Sequence, residues 1–173
     1  MKYSLKSTIE CLLLMNDEPL SSSQIIKITS DLKLSKRDIV NAINDLNDEY
    51  QNKAIHICEV ASGYRFQAKD GLETYIHKLK DKGSNKFSKA FLETTAIIAY
   101  KQPVTRGDIE NIRGIAVSTN TIRTLLELEW IKVVGHKDSP GRPELFATTT
   151  KFLDYFNKNK LSELPEISDV DSL

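Results

Sequence analysis

Cysteine is scarce in this chain. Two thiols in 173 residues, Cys11 and Cys58, cannot make a disulfide framework, and they fit a reducing compartment in which both serve as small core fillers. Histidine is nearly as rare. His56, His77 and His136 fall in a strand, a helix and a loop. His56 and Cys58 share a strand face, but no third and fourth ligand follows at metal spacing. Isolated Asp, Ser and His residues define no acid–base or nucleophilic constellation, so no catalytic residue, metal or cofactor is expected. No G-x-x-x-x-G-K-[ST] run offers a phosphate cradle. No apolar stretch reaches the roughly 18 residues that span a bilayer. The first leucine-rich segment is interrupted by Asp17, Glu18 and Lys27, unlike a signal peptide. A cytoplasmic location with no membrane partner is the expectation.

Net charge is absent too: 24 basic and 24 acidic side chains cancel. Residues 1–85 carry 12 of each sign, residues 86–160 carry 12 basic and 8 acidic, and residues 161–173 carry 4 acidic and none basic. A sequence-independent nucleic-acid binder shows a larger positive excess. What remains is ordinary soluble composition, 40% apolar and 28% charged, in a chain long enough for one domain or two small ones.

A repeat decides between those options. Leu12, Leu13 and Leu14 lead to Pro19, Leu20 and Ser21, then Ile25 and Ile28; 84 positions later Ala96, Ile97 and Ile98 lead to Pro103, Val104 and Thr105, then Ile109 and Ile112. Ser35, Ile39, Ala42 and Ile43 are answered by Ser118, Ile122, Leu125 and Leu126. Two similar units follow.

In the first, Leu5, Ile9, Leu12 and Leu13 predict a helix over Leu5–Met15. One of Ser21, Ser22 or Ser23 caps a second helix with Ile25 and Ile28 on its apolar side. Ser35 and Asp38 form a capping-box variant ahead of a third helix that buries Ile39, Ala42, Ile43 and Leu46. Strands through Ile55, Ile57 and Val60 and through Tyr64, Phe66 and Ala68 reverse at Ala61–Gly63. A short helix covers Leu72–Leu79, and Asp81–Asn85 read as a linker.

The second unit predicts a helix over Phe91–Tyr100 stopped by Pro103, then a Thr105-capped helix ended by Gly114. A third helix starts at Ser118, Trp130–Val134 form a strand, and Leu145–Ala147 return beside it. A last helix holds Phe152, Leu153, Tyr155 and Phe156. From Leu161 the acidic tail is expected to fray. The fold expected is therefore α+β and mainly helical: two tandem winged-helix domains, each with three core helices and a β-hairpin wing. Their bounds are 1–82 and 88–160, with a linker at 83–87 and a flexible tail at 161–173.

Winged helices present their third helix to the DNA major groove. On the first unit Lys36 and Arg37 are followed by Asp45 and Asp48, which repel phosphate. On the second, Asn120 and Arg123 are the candidate nucleic-acid contacts, and Lys132, His136, Lys137 and Arg142 add a modest basic patch against Asp138 and Glu144. A DNA-binding transcriptional regulator is thus the alternative reading. The wing loop Gly135–Pro143 is shaped by Pro140, Gly141 and Pro143.

Three blocks carry a resemblance: LETTAIIAYKQPVTRGDIENIRG at 92–114, IRTLLELEWIKVVGHKDSPGRPELFATT at 122–149 and FLDYFNKNKLSELP at 152–165. EPLS at 18–21 and EVASGYRFQAK at 59–69 add weaker matches. Together they resemble segregation and condensation protein B, the winged-helix accessory subunit of bacterial SMC–kleisin condensin. The resemblance implies a non-catalytic adaptor that supports chromosome condensation and segregation at the nucleoid. It implies homodimerisation through the first unit and kleisin binding mostly through the second, with contact to the SMC ATPase through the kleisin and to DNA mainly indirectly. The implied kleisin-facing residues are Tyr100, Pro103, Arg106, Lys137, Arg142 and Tyr155. Trp130 stands where the family often has a smaller aliphatic residue and is expected to pack at the base of the wing.

Overall fold

The computed structural model describes residues 3–80 and 87–165. The chain divides into two compact units, Met1–Ser84 and Asn85–Leu173, each with its own apolar core. The architecture is mixed α+β, mostly helical, with two β-hairpins.

In the first unit, α1 (Leu5–Met15), α2 (Ser22–Ile28) and α3 (Lys36–Glu49) precede β1 (Ile55–Val60), β2 (Gly63–Ala68) and α4 (Glu73–Lys80). Serine starts the first three helices, and its hydroxyl takes an amide that has no partner in the first turn. Ser4 accepts from Ser7, while Ser21 with Gln24 and Ser35 with Asp38 close reciprocal capping boxes. Ile9, Leu13, Ile25, Ile39, Ile43 and Leu46 form the centre of the core. The hairpin pairs antiparallel from Ile55 with Ala68 to Val60 with Gly63.

The second unit runs α5 (Lys89–Lys101), α6 (Arg106–Arg113), α7 (Thr119–Glu127), β3 (Ile131–His136), β4 (Glu144–Thr148) and α8 (Thr150–Tyr155). Thr105 caps α6 in a box with Asp108, Gly114 ends it at φ +70°, and Ser118 caps α7. The core gathers Ile97, Ile98, Ile109, Leu125, Trp130 and Phe152.

Several expectations change. Ile28 is 54% exposed; α2 ends there, and buried Thr29, whose hydroxyl donates to the Ile25 carbonyl at 2.8 Å, takes its inward place. Cys11 is exposed rather than a core filler, because it lies two residues from both Ile9 and Leu13, on the far side of their i, i+4 stripe. Gly63 is the first residue of β2, not part of the reversal. Trp130 precedes β3, and a bulge between Val133 and Gly135 leaves Val133 and Val134 exposed. The expected linker lies outside the described residues up to 86, but Phe87 already stacks on Phe91, ring centroids 4.6 Å apart. At the other end Leu161–Glu163 form a 3-10 turn and Leu164 packs on the core; residues 166–173 lie outside the described residues.

One feature of both units has no counterpart in the sequence reading. Leu20 exchanges two backbone hydrogen bonds with Tyr64, each of 2.9 Å, and Val104 exchanges two with Phe146, of 3.1 and 2.8 Å. The residue between each Pro and its helix cap thus adds a one-residue third strand to the hairpin.

Candidate functional site

Two of the side chains singled out by sequence, Arg106 and Arg123, meet where α6, α7 and β4 of the second unit come together. Asp108 ties the start of α6 to the hairpin loop. One of its carboxylate oxygens accepts from the Thr105 amide at 3.0 Å and from the Thr105 hydroxyl at 2.8 Å, while Thr105 Oγ1 accepts from the Asp108 amide at 3.1 Å. The other oxygen accepts from Lys137 Nζ at 2.7 Å. Lys137 is therefore a strut between the hairpin loop and α6. These donors, Lys137 first and then Thr105, stabilise the ionised form and hold the Asp108 pKa down at about 2.

A second knot holds α6 to α7. Glu110 Oε1 accepts from Arg106 Nε and from the Val117 amide, both at 2.9 Å, and the Val117 amide, followed by Arg106, lowers its pKa. Arg106 Nη1 reaches across to Thr119 Oγ1 at 3.0 Å. Between these walls and the hairpin lies an apolar depression of about 320 Å³. Ile122, Leu126 and Phe146 contribute its apolar lining, and Arg106, Arg123 and Glu144 contribute charged side chains. Arg123 is 75% exposed at its side chain and bonded only along its own helix, to Glu127 at 2.7 Å.

The remaining residues fall elsewhere. Asn120 is exposed in the first turn of α7, its amide bonded to Ser118 Oγ. Pro103 is exposed after a cis peptide bond. Beside it, Gln102 Oε1 accepts the Thr148 amide at 2.8 Å and Gln102 Nε2 donates to the Ala99 carbonyl at 3.0 Å, clamping α5 to β4. Arg142 is exposed in the loop at φ +40°, its amide donating to the Ser139 carbonyl. Tyr100 lines a separate apolar groove of about 190 Å³ beside α8 and Leu164, and its hydroxyl donates to the Pro165 carbonyl at 2.6 Å. Tyr155 lies tilted against Trp130, 4.3 Å between ring centroids. Trp130 does pack at the base of the hairpin, in a cluster with Phe87, Phe91, Phe152 and Phe156.

Arg106 and Arg123 are thus brought together, Lys137 joins them through Asp108, and the two tyrosines belong to other surfaces. Sequence reasoning missed Gln102, Phe87 and buried Arg113, which donates to Glu93 at 3.3 Å. Each acts through a partner distant in sequence. Among the described residues, no group of three His, Cys, Asp or Glu side chains is placed to hold a metal; Cys58 instead donates to Gln67 Oε1 at 3.2 Å.

The Asp108 network gives a pH prediction. A carboxylate whose pKa falls on folding adds stability above its unfolded value, near 3.8, and loses it as the pH drops through about 2. Asp108→Asn is expected to destabilise the second unit at pH 7 by only about 1 kcal/mol, since the side chain is about one-third exposed and screened by solvent. The gap from the parent protein should narrow from about pH 4 downward and close only as the pH passes below about 2, in urea titrations followed by Trp130 fluorescence.

The family model for the segregation and condensation complex subunit ScpB matches residues 7–167. The segregation and condensation protein B homolog of Coxiella burnetii is 43% identical over 166 residues, 95% of this chain and 79% of that protein. Segregation and condensation protein B of Symbiobacterium thermophilum is 40% identical over 164 residues, 94% and 73% of the two chains. The chain is also similar to a crystallised dimer of a ScpB N-terminal domain complexed with a ScpA peptide, at 25% identity and a TM-score of 0.41 over 49% of this chain and all of that one. The match spans both compact units, and the chain belongs to the ScpB family of non-enzymatic subunits of the segregation and condensation complex.

Proposed function

We propose that the chain is an adaptor that grips the kleisin subunit, ScpA, of the bacterial SMC condensin complex and thereby supports chromosome condensation and segregation. The observation that carries this reading is the ScpB family match across residues 7–167, through both units. In this reading the units are tandem winged-helix domains: three helices, a hairpin wing, and the single-residue third strand at Leu20 or Val104. The first unit pairs with a second copy of the chain and the second holds the kleisin, which links the protein to the SMC ATPase. DNA contact is mainly indirect, and the assembly sits at the nucleoid in the cytoplasm.

The kleisin-facing set comprises Tyr100, Pro103, Arg106, Lys137, Arg142 and Tyr155. Exposure of Pro103, Arg142 and Tyr155 supports their place in it. Arg106 and Lys137 serve differently, as struts that hold α6 to α7 and to the hairpin loop. Exposed Asn120 and Arg123 carry duplex contact as the competing reading, but the chain has no charge excess.

Mixing the purified full-length chain with its cognate kleisin should give a stable complex by light scattering coupled to size exclusion, containing two copies of this chain. Titration with a 20-base-pair duplex in roughly physiological salt should give no sequence-selective binding. A chain that ignores the kleisin yet selects one duplex is a DNA-binding regulator instead.

A further inference from the structure

The two units differ at the place that forms the depression beside α7. Leu20 and Val104 are equivalent, since each pairs with the second strand of its own hairpin. Two residues on stand Ser22 and Arg106; five residues after the capping serines Ser35 and Ser118 stand Val40 and Arg123. In the first unit Ser22 and Tyr64 are both buried, 8% and 7% exposed, and hydrogen-bonded to one another. In the second unit Phe146 has no hydroxyl to spend, and the equivalent space is a depression of about 320 Å³. That volume matches the lower end of concave ligand sites, ~300 Å³. The depression is thus bordered by different side chains from its counterpart in the first unit, where Ser22 and Tyr64 bond to one another instead.

Its two arginines are not equivalent. Arg106 is committed to Glu110 and to Thr119 on a second helix, and forms a wall. Arg123 holds only Glu127, in an exposed i, i+4 pair at 75% and 59% exposure. Exposed helix pairs hold weakly and exchange partners at little cost. Beside this exchangeable guanidinium lie Ile122, Leu126 and Phe146. On the hairpin side Glu144 repels a carboxylate, so an acidic group entering here pairs on the α7 side.

Deepening the adaptor reading, on which it rests, we propose that this depression is the anchor site for one segment of the kleisin. That segment inserts an apolar side chain between α7 and β4 and carries an Asp or Glu close by, which takes Arg123 from Glu127. Arg123 is then a specificity-determining residue for an acidic, apolar-anchored peptide.

The experiment is calorimetric titration of the full-length chain with the full-length kleisin. Arg123→Glu is expected to weaken binding at least tenfold, while its thermal unfolding stays that of the parent, the side chain being exposed. Glu127→Ala, which removes the internal competitor, is expected to tighten binding two- to threefold. Among kleisin variants with single Asp or Glu changed to Lys, at least one should restore binding to Arg123→Glu. Affinity of Arg123→Glu within twofold of the parent overturns the site and leaves the adaptor reading standing. So does an effect of that variant confined to a duplex DNA probe, or to homodimer mass, with kleisin affinity unchanged. If the parent chain itself does not bind the kleisin, the adaptor reading fails and this site falls with it.

Discussion

Trp130→Ala will lower the unfolding free energy of the second unit by roughly 3–5 kcal/mol, the range for large-to-small aromatic truncation in a core. Trp130 is 3% exposed, and its ring lies within 4.3 to 6.4 Å, centroid to centroid, of five others: Tyr155, Phe87, Phe156, Phe91 and Phe152. These rings come from α5, from α8 and its end, and from Phe87 just ahead of α5, so one side chain joins both ends of the unit to the base of its hairpin. Offset and edge-on ring pairs each add about 0.5–1.5 kcal/mol beyond the area they bury. The five remaining rings cannot close around an alanine without moving a helix, so the cavity persists and the loss sits at the high end. The Trp130 amide donates to the Leu125 carbonyl and its carbonyl accepts from the Thr149 amide, both at 3.0 Å; alanine keeps both bonds, so the loss reports the side chain alone. Trp130→Phe keeps a ring and should cost about 1–2 kcal/mol. Urea unfolding by far-UV circular dichroism measures both, with the first unit's transition expected to stay in place. A loss below about 1 kcal/mol for the alanine variant would show that the cluster is loosely packed.

The parts of this fold that could be read from the sequence are those written within one or two helical turns. Ser35 with Asp38 and Thr105 with Asp108 are three residues apart, and the chemistry that makes them caps is complete within that span. The stripe Ile39, Ala42, Ile43 and Leu46 is equally local, and all four are buried. Ile28 and Cys11 misled because an apolar residue at a helix end or off the stripe has the same composition as one in the core. The bridge from Val104 to Phe146 spans 42 positions, and no property of valine announces it; its trace was the repeat, which places Leu20 and Val104 identically between proline and cap.

The candidate site shows the same division. The resemblance carried by the sequence picked out Arg106, Lys137 and Tyr100, but not what each one holds. Arg106 bonds Thr119, Lys137 bonds Asp108, and the Tyr100 hydroxyl bonds the Pro165 carbonyl. These bonds cross 13, 29 and 65 positions of chain. Whether a cation is free to meet a partner or is already used as a strut depends on those closures; Arg123, by contrast, bonds Glu127 only four positions along its own helix.

Gly63→Ala is expected to destabilise the first unit by about 3 kcal/mol or more, enough to unfold a marginal unit of this size. Two independent penalties meet at this residue. Its φ of +147° lies where L side chains are strained. In addition, a Cβ there would stand 2.3 Å from the Leu20 carbonyl carbon, 2.4 Å from its oxygen and 2.4 Å from the Ser21 nitrogen. All three are backbone atoms, so no rotamer change relieves the collision. Moving Leu20 away breaks its two hydrogen bonds with Tyr64 and disturbs Ser21, whose hydroxyl caps α2. Gly135 in the other hairpin is the control: a Cβ there meets nothing within 4 Å, and Gly135→Ala should change stability by no more than about 0.5 kcal/mol. Far-UV dichroism in urea reports the loss, while Trp130 fluorescence, the signal of the only tryptophan in the chain, should leave the second unit's midpoint unmoved. If the first unit is the pairing unit, the same substitution converts the homodimer to monomer by light scattering while the second unit stays folded. A Gly63→Ala protein as stable as its parent would mean that Leu20 and the hairpin separate freely, and the one-residue third strand would then contribute nothing to holding the unit together.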